Sequence, residues 1–279
     1  MHNFLLSLYR TIFARASFYR VHYHIYTMSL RGMGLLNSEG PEATGETHFL
    51  KSLAAHPHLK IKTILDVGAN TGEFSLEAHR CFPGAKIIAC EPHPQTVQKL
   101  RKNLRGKKVK ILNLGLSKKT GSAKLWDFAD SAPLKATQPT STLASVHKTV
   151  INQFHQQQAQ AFNIKVSTID QIVKDHKLRS IDLLKIDAEG NELAILQGAA
   201  TTLKLKKIKC IQFECNEMQP FARTFFKDFD DLLSKQYQLF RMLPNGLLKL
   251  GPYRPLTHEL FGFQNIVAYR RDFIEQTAT

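Results

Sequence analysis

Short, mostly apolar runs alternate with segments of helical periodicity from residue 61 to residue 214. Ile61–Val67, Lys86–Glu91, Lys108–Leu114, Ile181–Ile186 and Ile208–Glu214 each read as a buried strand. Between them, residues 72–81 and 94–104, and the stretch from Asp187 to about Leu203, carry apolar positions at helical spacing. Asp170–His176 and residues 221–236 read as two further helices, and Tyr237–Met242 and Gln264–Tyr269 as closing strands. Residues 122–128 and 163–168 read as hairpin-like pieces. Mostly apolar strands alternating with helices indicate an α/β fold, a doubly wound, mostly parallel sheet with helices on both faces. Ligands of such sheets sit beyond the carboxyl ends of the strands at the topological switch point.

Two segments lie outside this pattern. Residues 129–162 are rich in Ser, Thr, Gln and Pro with little periodicity, and read as a mobile insertion. Residues 1–30 form a basic, aromatic arm with apolar positions 5, 8/9 and 12/13 at helical spacing. A secretory signal is not expected, because Arg10 ends the short apolar run. The arm either packs on the domain or lies on an anionic membrane or another subunit. The domain proper is expected over residues 31–279.

Charge narrows the classes of partner. The 279 residues hold 38 Lys+Arg against 23 Asp+Glu, a formal net charge of +15. Val97–Lys124 holds ten basic residues and no acid, and residues 1–38 have no acid at all. Such a field attracts polyanions: nucleic acid, anionic lipid or phosphorylated glycan carriers. No apolar run reaches membrane-spanning length. The four cysteines, Cys81, Cys90, Cys210 and Cys215, make no zinc-type spacing, so no metal site is expected from them. Reduced thiols point to a cytoplasmic setting, with peripheral membrane attachment through the arm left open.

The chemistry concentrates at strand ends. Asp66-Val67-Gly68-Ala69-Asn70-Thr71-Gly72 turns the first strand into the first helix. Gly68 and Gly72 allow tight turning and close backbone approach to a ligand, and Asn70 tolerates positive φ. Asp66 suits a ligand bearing an amino group rather than a pyrophosphate. Glu91 closes the second strand, where an acid accepts hydrogen bonds from ribose hydroxyls. S-adenosylmethionine meets both demands, whereas a nicotinamide dinucleotide would want G-x-G-x-x-G, which is absent at this turn. Asn113, Gly115 and Leu116 follow the third strand, where the adenine of a nucleoside cofactor is expected. Asp182, Lys185, Asp187, Glu189 and Glu192 crowd the fourth strand and its turn, and Glu214 ends the fifth. Asp187, Glu189 and Glu214 are the candidate catalytic carboxylates for removing a hydroxyl proton, and a Mg²⁺ ion there is left open. Glu192 also fits a plain helix start. His147 and His155 in the insertion are further candidate bases.

These residues resemble the FkbM family of S-adenosylmethionine-dependent methyltransferases. The matching stretches are ILDVGANTGEF (64–74), CEP (90–92), LNLGLS (112–117), VSTID (166–170), DLLKIDAEGNE (182–192), LQGA (196–199) and Phe213–Glu214. RGMG (31–34), GETHFL (45–50) and FGFQNIVAY (261–269) extend the resemblance over about residues 31–270. It departs from the family at Ala188 and Ile169, where valine and leucine are usual. The resemblance implies a class I methyltransferase fold, a seven-stranded sheet with an antiparallel last strand. It also implies methyl transfer to a hydroxyl oxygen of a sugar, glycan or secondary metabolite. An RNA methyltransferase, a non-catalytic adapter that retains the fold, and an NAD-dependent oxidoreductase are the competing expectations.

Overall fold

The computed structural model describes residues 2–57, 59–128, 144–146 and 159–275. Its main sheet runs β10-β9-β11-β8-β7-β1-β2-β3. The strands are β1 (Thr63–Val67), β2 (Lys86–Cys90), β3 (Val109–Leu112), β7 (Ile181–Ile186), β8 (Ile208–Cys215), β9 (Tyr237–Leu243), β10 (Gly246–Lys249) and β11 (Gln264–Arg270). Five neighbours, β3-β2-β1-β7-β8, are parallel, and β11 inserts antiparallel between β8 and β9. The sheet has eight strands rather than seven. The chain reverses through Pro244-Asn245-Gly246, so β10 adds an antiparallel edge to β9.

Period-two alternation sorts the strands onto two cores. Ile64, Ile87, Leu183, Cys210 and Val267 face α3 (Glu46–Ala55) and α4 (Glu73–Cys81). Val97, Leu100 and Leu104, from α5 (Thr96–Asn103) and its end, pack on Ala69 and Ala89. Leu65, Val67, Ile88, Leu184, Ile186, Ile211 and Phe213 face the other way. They meet α6 (Ile169–Asp175), α7 (Glu192–Gln197), α8 (Ala200–Lys204) and α10 (Phe226–Leu233). The helix expected to run to Leu203 is broken between α7 and α8 at Gly198 and Ala199, and Gly198 lies so close to the neighbouring chain that a β-carbon would stand 2.2 Å from the Ser117 carbonyl oxygen. The helix expected over 221–236 is likewise two pieces, α9 (Gln219–Ala222) and α10, separated at Arg223 with φ +53°.

Tertiary pairing also shortens the third strand. β3 ends at Leu112, and β4 (Gly115–Leu116) pairs instead in a second sheet, β4-β6-β5, with β5 (Gly121–Phe128) and β6 (Ala159–Ser167). The expected insertion at 129–162 is therefore shorter at its end, since 159–162 belong to β6. Ser145 also bridges to Trp126 of β5. Residues 129–143 and 147–158, with His147 and His155, lie outside the described residues.

At the N-terminus α1 (His2–Phe13) and α2 (Tyr19–Gly32) form two consecutive helices, of which the sequence pattern anticipated α1. Among the described residues no helix is long and apolar enough to cross a membrane. The chain leaves β1 toward β2 and β3 on one side and returns to β7 and β8 on the other. The switch point therefore lies past Val67.

Candidate functional site

The turn after β1 is held by its neighbours on both sides. Gly68 and Ala69 N–H groups both donate to the Cys90 carbonyl at 3.0 Å, and the Asp187 N–H donates to the Val67 carbonyl at 3.0 Å. Gly68, Asn70 and Gly72 have φ of +76°, +46° and +95°. Glycine removes the strain of these angles at two positions, and asparagine lowers it at the third.

Glu91 locks the far side of this turn. Its Oε2 accepts from the Asn70 N–H at 2.9 Å and its Oε1 from the His93 N–H at 2.8 Å. Burial pushes its carboxyl up to about 7, against those two hydrogen bonds. Beside it opens a pocket of about 870 Å³, the solvent at its mouth included. Gly68, Asn70 and Glu91 line one wall, Leu114–Ser117 another, and Leu125, Ile164 and Val166 of the second sheet a third. Gly115 and Leu116 thus stand on the wall as expected. Asn113 does not: its amide braces the rim by donating to the Glu91 and Pro92 carbonyls at 2.9 and 3.1 Å. Gly72 is also off this wall and packs against Leu100 and Leu104.

Asp66 lies beneath the turn, fully buried, and lines neither cavity. Ser75 Oγ donates to its Oδ2 at 2.6 Å. In register it stands beside Lys185, which stands beside Gln212. These three side chains share one face of the sheet under α3, where Gln212 donates to Glu46. Burial alone would push the Lys185 ammonium down, but Asp187, Asp66 and Glu46 around it drive it upward. Burial in turn raises Asp66 and Glu46, and Lys185 opposes that rise. Glu46 went unnoticed as a site residue because its partner Gln212 lies 166 positions away.

A carboxylate rim crosses the ends of β7 and β8. Lys185 Nζ holds Asp187 Oδ2 at 3.0 Å. Asn216 Nδ2 donates to Glu214 Oε1 at 2.6 Å and lies 3.4 Å from Glu189 Oε2, so one amide joins the two acids. Burial, then the Asp187 charge, raises both Glu189 and Glu214 well above the ordinary carboxylate range. Glu189 and Gly190 are consecutive left-handed residues, with φ of +49° and +95°. The Ser145 hydroxyl donates to the Glu189 carbonyl at 2.7 Å. Asp182 is not part of this rim. It lies at the opposite end of β7, accepting from the Lys62 and Thr63 N–H groups at 2.8 and 2.9 Å and pairing with Lys209 at 2.7 Å. Among the described residues no three His, Cys, Asp or Glu side chains are arranged to hold a metal ion.

Glu192 holds the turn rather than facing a ligand. Its Oε1 accepts from the Ala188 N–H at 2.9 Å and its Oε2 from the Gly190 N–H at 3.1 Å. Burial raises its carboxyl to about 7 from an ordinary 4.5. A raised folded-state value means the folded protein binds more protons than the unfolded chain between those limits, so stability falls as pH rises through them. Glu192→Gln keeps an acceptor and removes the titration. Thermal melts from pH 5 to 8 are expected to flatten, losing a pH-dependent contribution of roughly 3 kcal/mol. An unchanged slope would show that Glu192 titrates alike in both states.

The residues present fit S-adenosylmethionine. The 870 Å³ cavity is mostly apolar, suiting an adenine, with the Glu91 carboxylate on its wall. Asn70 Oδ1, at the mouth, is shielded and has no hydrogen-bond partner among the described residues, an acceptor suited to a ligand's amino group. A second, wider cleft of about 2120 Å³ opens on the other side of the turn. Gly68, Asn70 and Asp187 line both spaces.

A doubly wound sheet with a mostly apolar cavity at its switch point is the class I methyltransferase architecture. The chain belongs to the FkbM methyltransferase family, whose methyltransferase domain matches residues 66–242. It is 31% identical over 153 residues to methyltransferase sdnD of Sordaria araneosa, covering 48% of this chain and 59% of that one. It is 27% identical over 143 residues to the hexuronic acid methyltransferase AglP of Haloferax volcanii, covering 50% of each. A crystal structure of an FkbM methyltransferase from Methylobacillus flagellatus KT aligns with a TM-score of 0.45 at 17% identity, over 82% of this chain and 50% of that one. The chain spans between half and three-fifths of the length of these two curated relatives.

Proposed function

We propose that this chain transfers the methyl group of S-adenosylmethionine to a hydroxyl oxygen of an uncharged, hydroxyl-rich acceptor such as a sugar, a glycan or a secondary metabolite. The observation that carries this reading is the shared wall: the nucleoside-sized cavity and the wide cleft meet at Gly68, Asn70 and Asp187. Glu91 would hold the ribose hydroxyls, Leu114–Leu116 the adenine, and Asn70 the amino end. Bound there, the cofactor supplies an electrophilic methyl carbon on a sulfur that leaves as a neutral thioether. Asp187 stands where the two ligands would meet. Lys185 fixes its Oδ2, which leaves Oδ1 to take the proton from the acceptor hydroxyl. Glu189 and Glu214, which burial pushes toward the protonated form, can in that form donate hydrogen bonds to neighbouring acceptor oxygens.

Charge supports a neutral acceptor over RNA. Seven acidic and three basic side chains line the wide cleft; burial raises Glu46 and Glu214 toward the neutral form, and the other five acids still outnumber the bases although the whole chain carries +15. Phosphates or uronates would meet this field unfavourably. The first test is calorimetric titration with S-adenosylhomocysteine, for which micromolar binding is expected. Folded protein that does not bind it would overturn the reading. Incubation with methyl-labelled cofactor and panels of neutral glycosides, uronates and RNA follows. An alkali-stable label on a neutral hydroxyl compound is expected. Label on RNA, or an alkali-labile ester on a uronate, would refute the acceptor class.

A further inference from the structure

The arm leaves its apolar surface uncovered. From Phe4 to Ser29 no residue is buried, although both helices are rich in large apolar side chains. Twelve of the eighteen exposed large apolar residues among the described residues lie between Phe4 and Met28. The two helices satisfy only part of each other: the Tyr9 hydroxyl lies 3.3 Å from His22 Nδ1, and His22 Nε2 lies 3.2 Å from the Phe13 carbonyl oxygen. Phe4, Leu5, Leu8 and Ile12 share the remaining face of α1 and are 71%, 56%, 47% and 42% exposed. On α2, Tyr19 and Tyr23 stack in the open at 6.2 Å, one turn from exposed Tyr26. An apolar surface of this extent is costly in water and marks an interaction site.

Charge selects the occupant. Arg10, Arg15, Arg20 and Arg31 share this arm, and the first acidic residue is Glu39, which pairs with Arg31. Arg10 and Arg20 have no carboxylate partner among the described residues. Two copies joined through this face would bring their arginines together without a countercharge. An anionic bilayer accepts all three features: apolar side chains in the acyl boundary, tyrosines at headgroup depth, and arginines against phosphates. We propose that the α1–α2 hairpin docks the protein on a membrane surface carrying anionic lipid, lying in the interface rather than crossing it.

The test uses the full chain and vesicles of phosphatidylcholine, alone or with one quarter phosphatidylglycerol. Co-sedimentation with the anionic vesicles is expected at 50 mM salt, with at least a fivefold loss at 500 mM and with neutral vesicles. Leu8→Glu with Ile12→Glu is expected to abolish it, and Arg10→Glu with Arg20→Glu to reduce it at least tenfold. S-adenosylhomocysteine binding should be unchanged in both variants, which certifies their fold. Wild-type protein left in the supernatant at 50 mM salt would overturn the proposal. So would charge-reversed protein that binds like wild type. A dimer in sedimentation equilibrium, lost on Leu8→Glu with Ile12→Glu and unaccompanied by vesicle binding, would assign the face to a second copy instead.

Discussion

Gly68→Ala is expected to destabilise the fold by more than about 4 kcal/mol and to remove cofactor binding with it. A β-carbon there would sit 1.6 Å from the Asp187 carbonyl oxygen and 2.8 Å from its carbonyl carbon. Both obstacles are backbone, so no rotamer change relieves them. The ends of β1 and β7 must separate, which breaks the Asp187-to-Val67 hydrogen bond and moves the carboxylate rim away from the turn. Backbone strain adds to this, since φ at Gly68 is +76°. Gly106 isolates that smaller part. Its φ is +77° with nothing within 4 Å of a β-carbon, so Gly106→Ala is expected to cost only about 1–2 kcal/mol. Urea unfolding of the two variants measures the difference. Equal costs would mean that the turn and the β7 exit are not in contact.

Glu91→Ala is expected to weaken S-adenosylhomocysteine binding on the order of 100-fold, about 3 kcal/mol. Two losses combine. The ribose hydroxyls lose an acceptor on the cavity wall, and the Asn70 and His93 N–H groups lose the oxygens that place the loop. Glu91→Gln separates them, because one amide oxygen can serve only one of the two N–H groups well. Its affinity is expected to fall between wild type and Glu91→Ala. Calorimetry on proteins with matched melting temperatures reads the effect. Wild-type affinity in Glu91→Ala would place the ribose elsewhere.

Much of the scaffold was legible because its signals are local. A strand buried on both faces is a short, mostly apolar run, and Ile64–Val67, Ile87–Cys90, Leu183–Ile186 and Ile211–Phe213 each show one, interrupted only by Asp66, Lys185 and Gln212. Gly68, Asn70 and Gly72 announce a turn because left-handed backbone restricts residue choice at the position itself. Boundaries were less legible. Nothing inside LQGAATTL shows that Gly198 meets the Ser117 carbonyl, so the helix looked continuous. β10 was not anticipated, because it is a short edge strand with half its residues exposed.

The site divided along the same line. Glu91 and Asp187 stand out in the sequence because they follow strands at the switch point, and both line the cavity there. Glu192 already fitted a helix start, whereas the role of Asp182 was hidden, because a carboxylate that holds backbone N–H groups is identical in sequence to one that faces a ligand. By itself the sequence determined the alternating layers, the cofactor turn and the acid-free arm, each set by the chemistry of neighbouring residues. Only the tertiary structure decided that Asp66, Lys185 and Gln212 form one rung beneath Glu46, and that the two cavities share Asp187. Those facts depend on strand register and on contacts across more than a hundred residues, which no local pattern encodes.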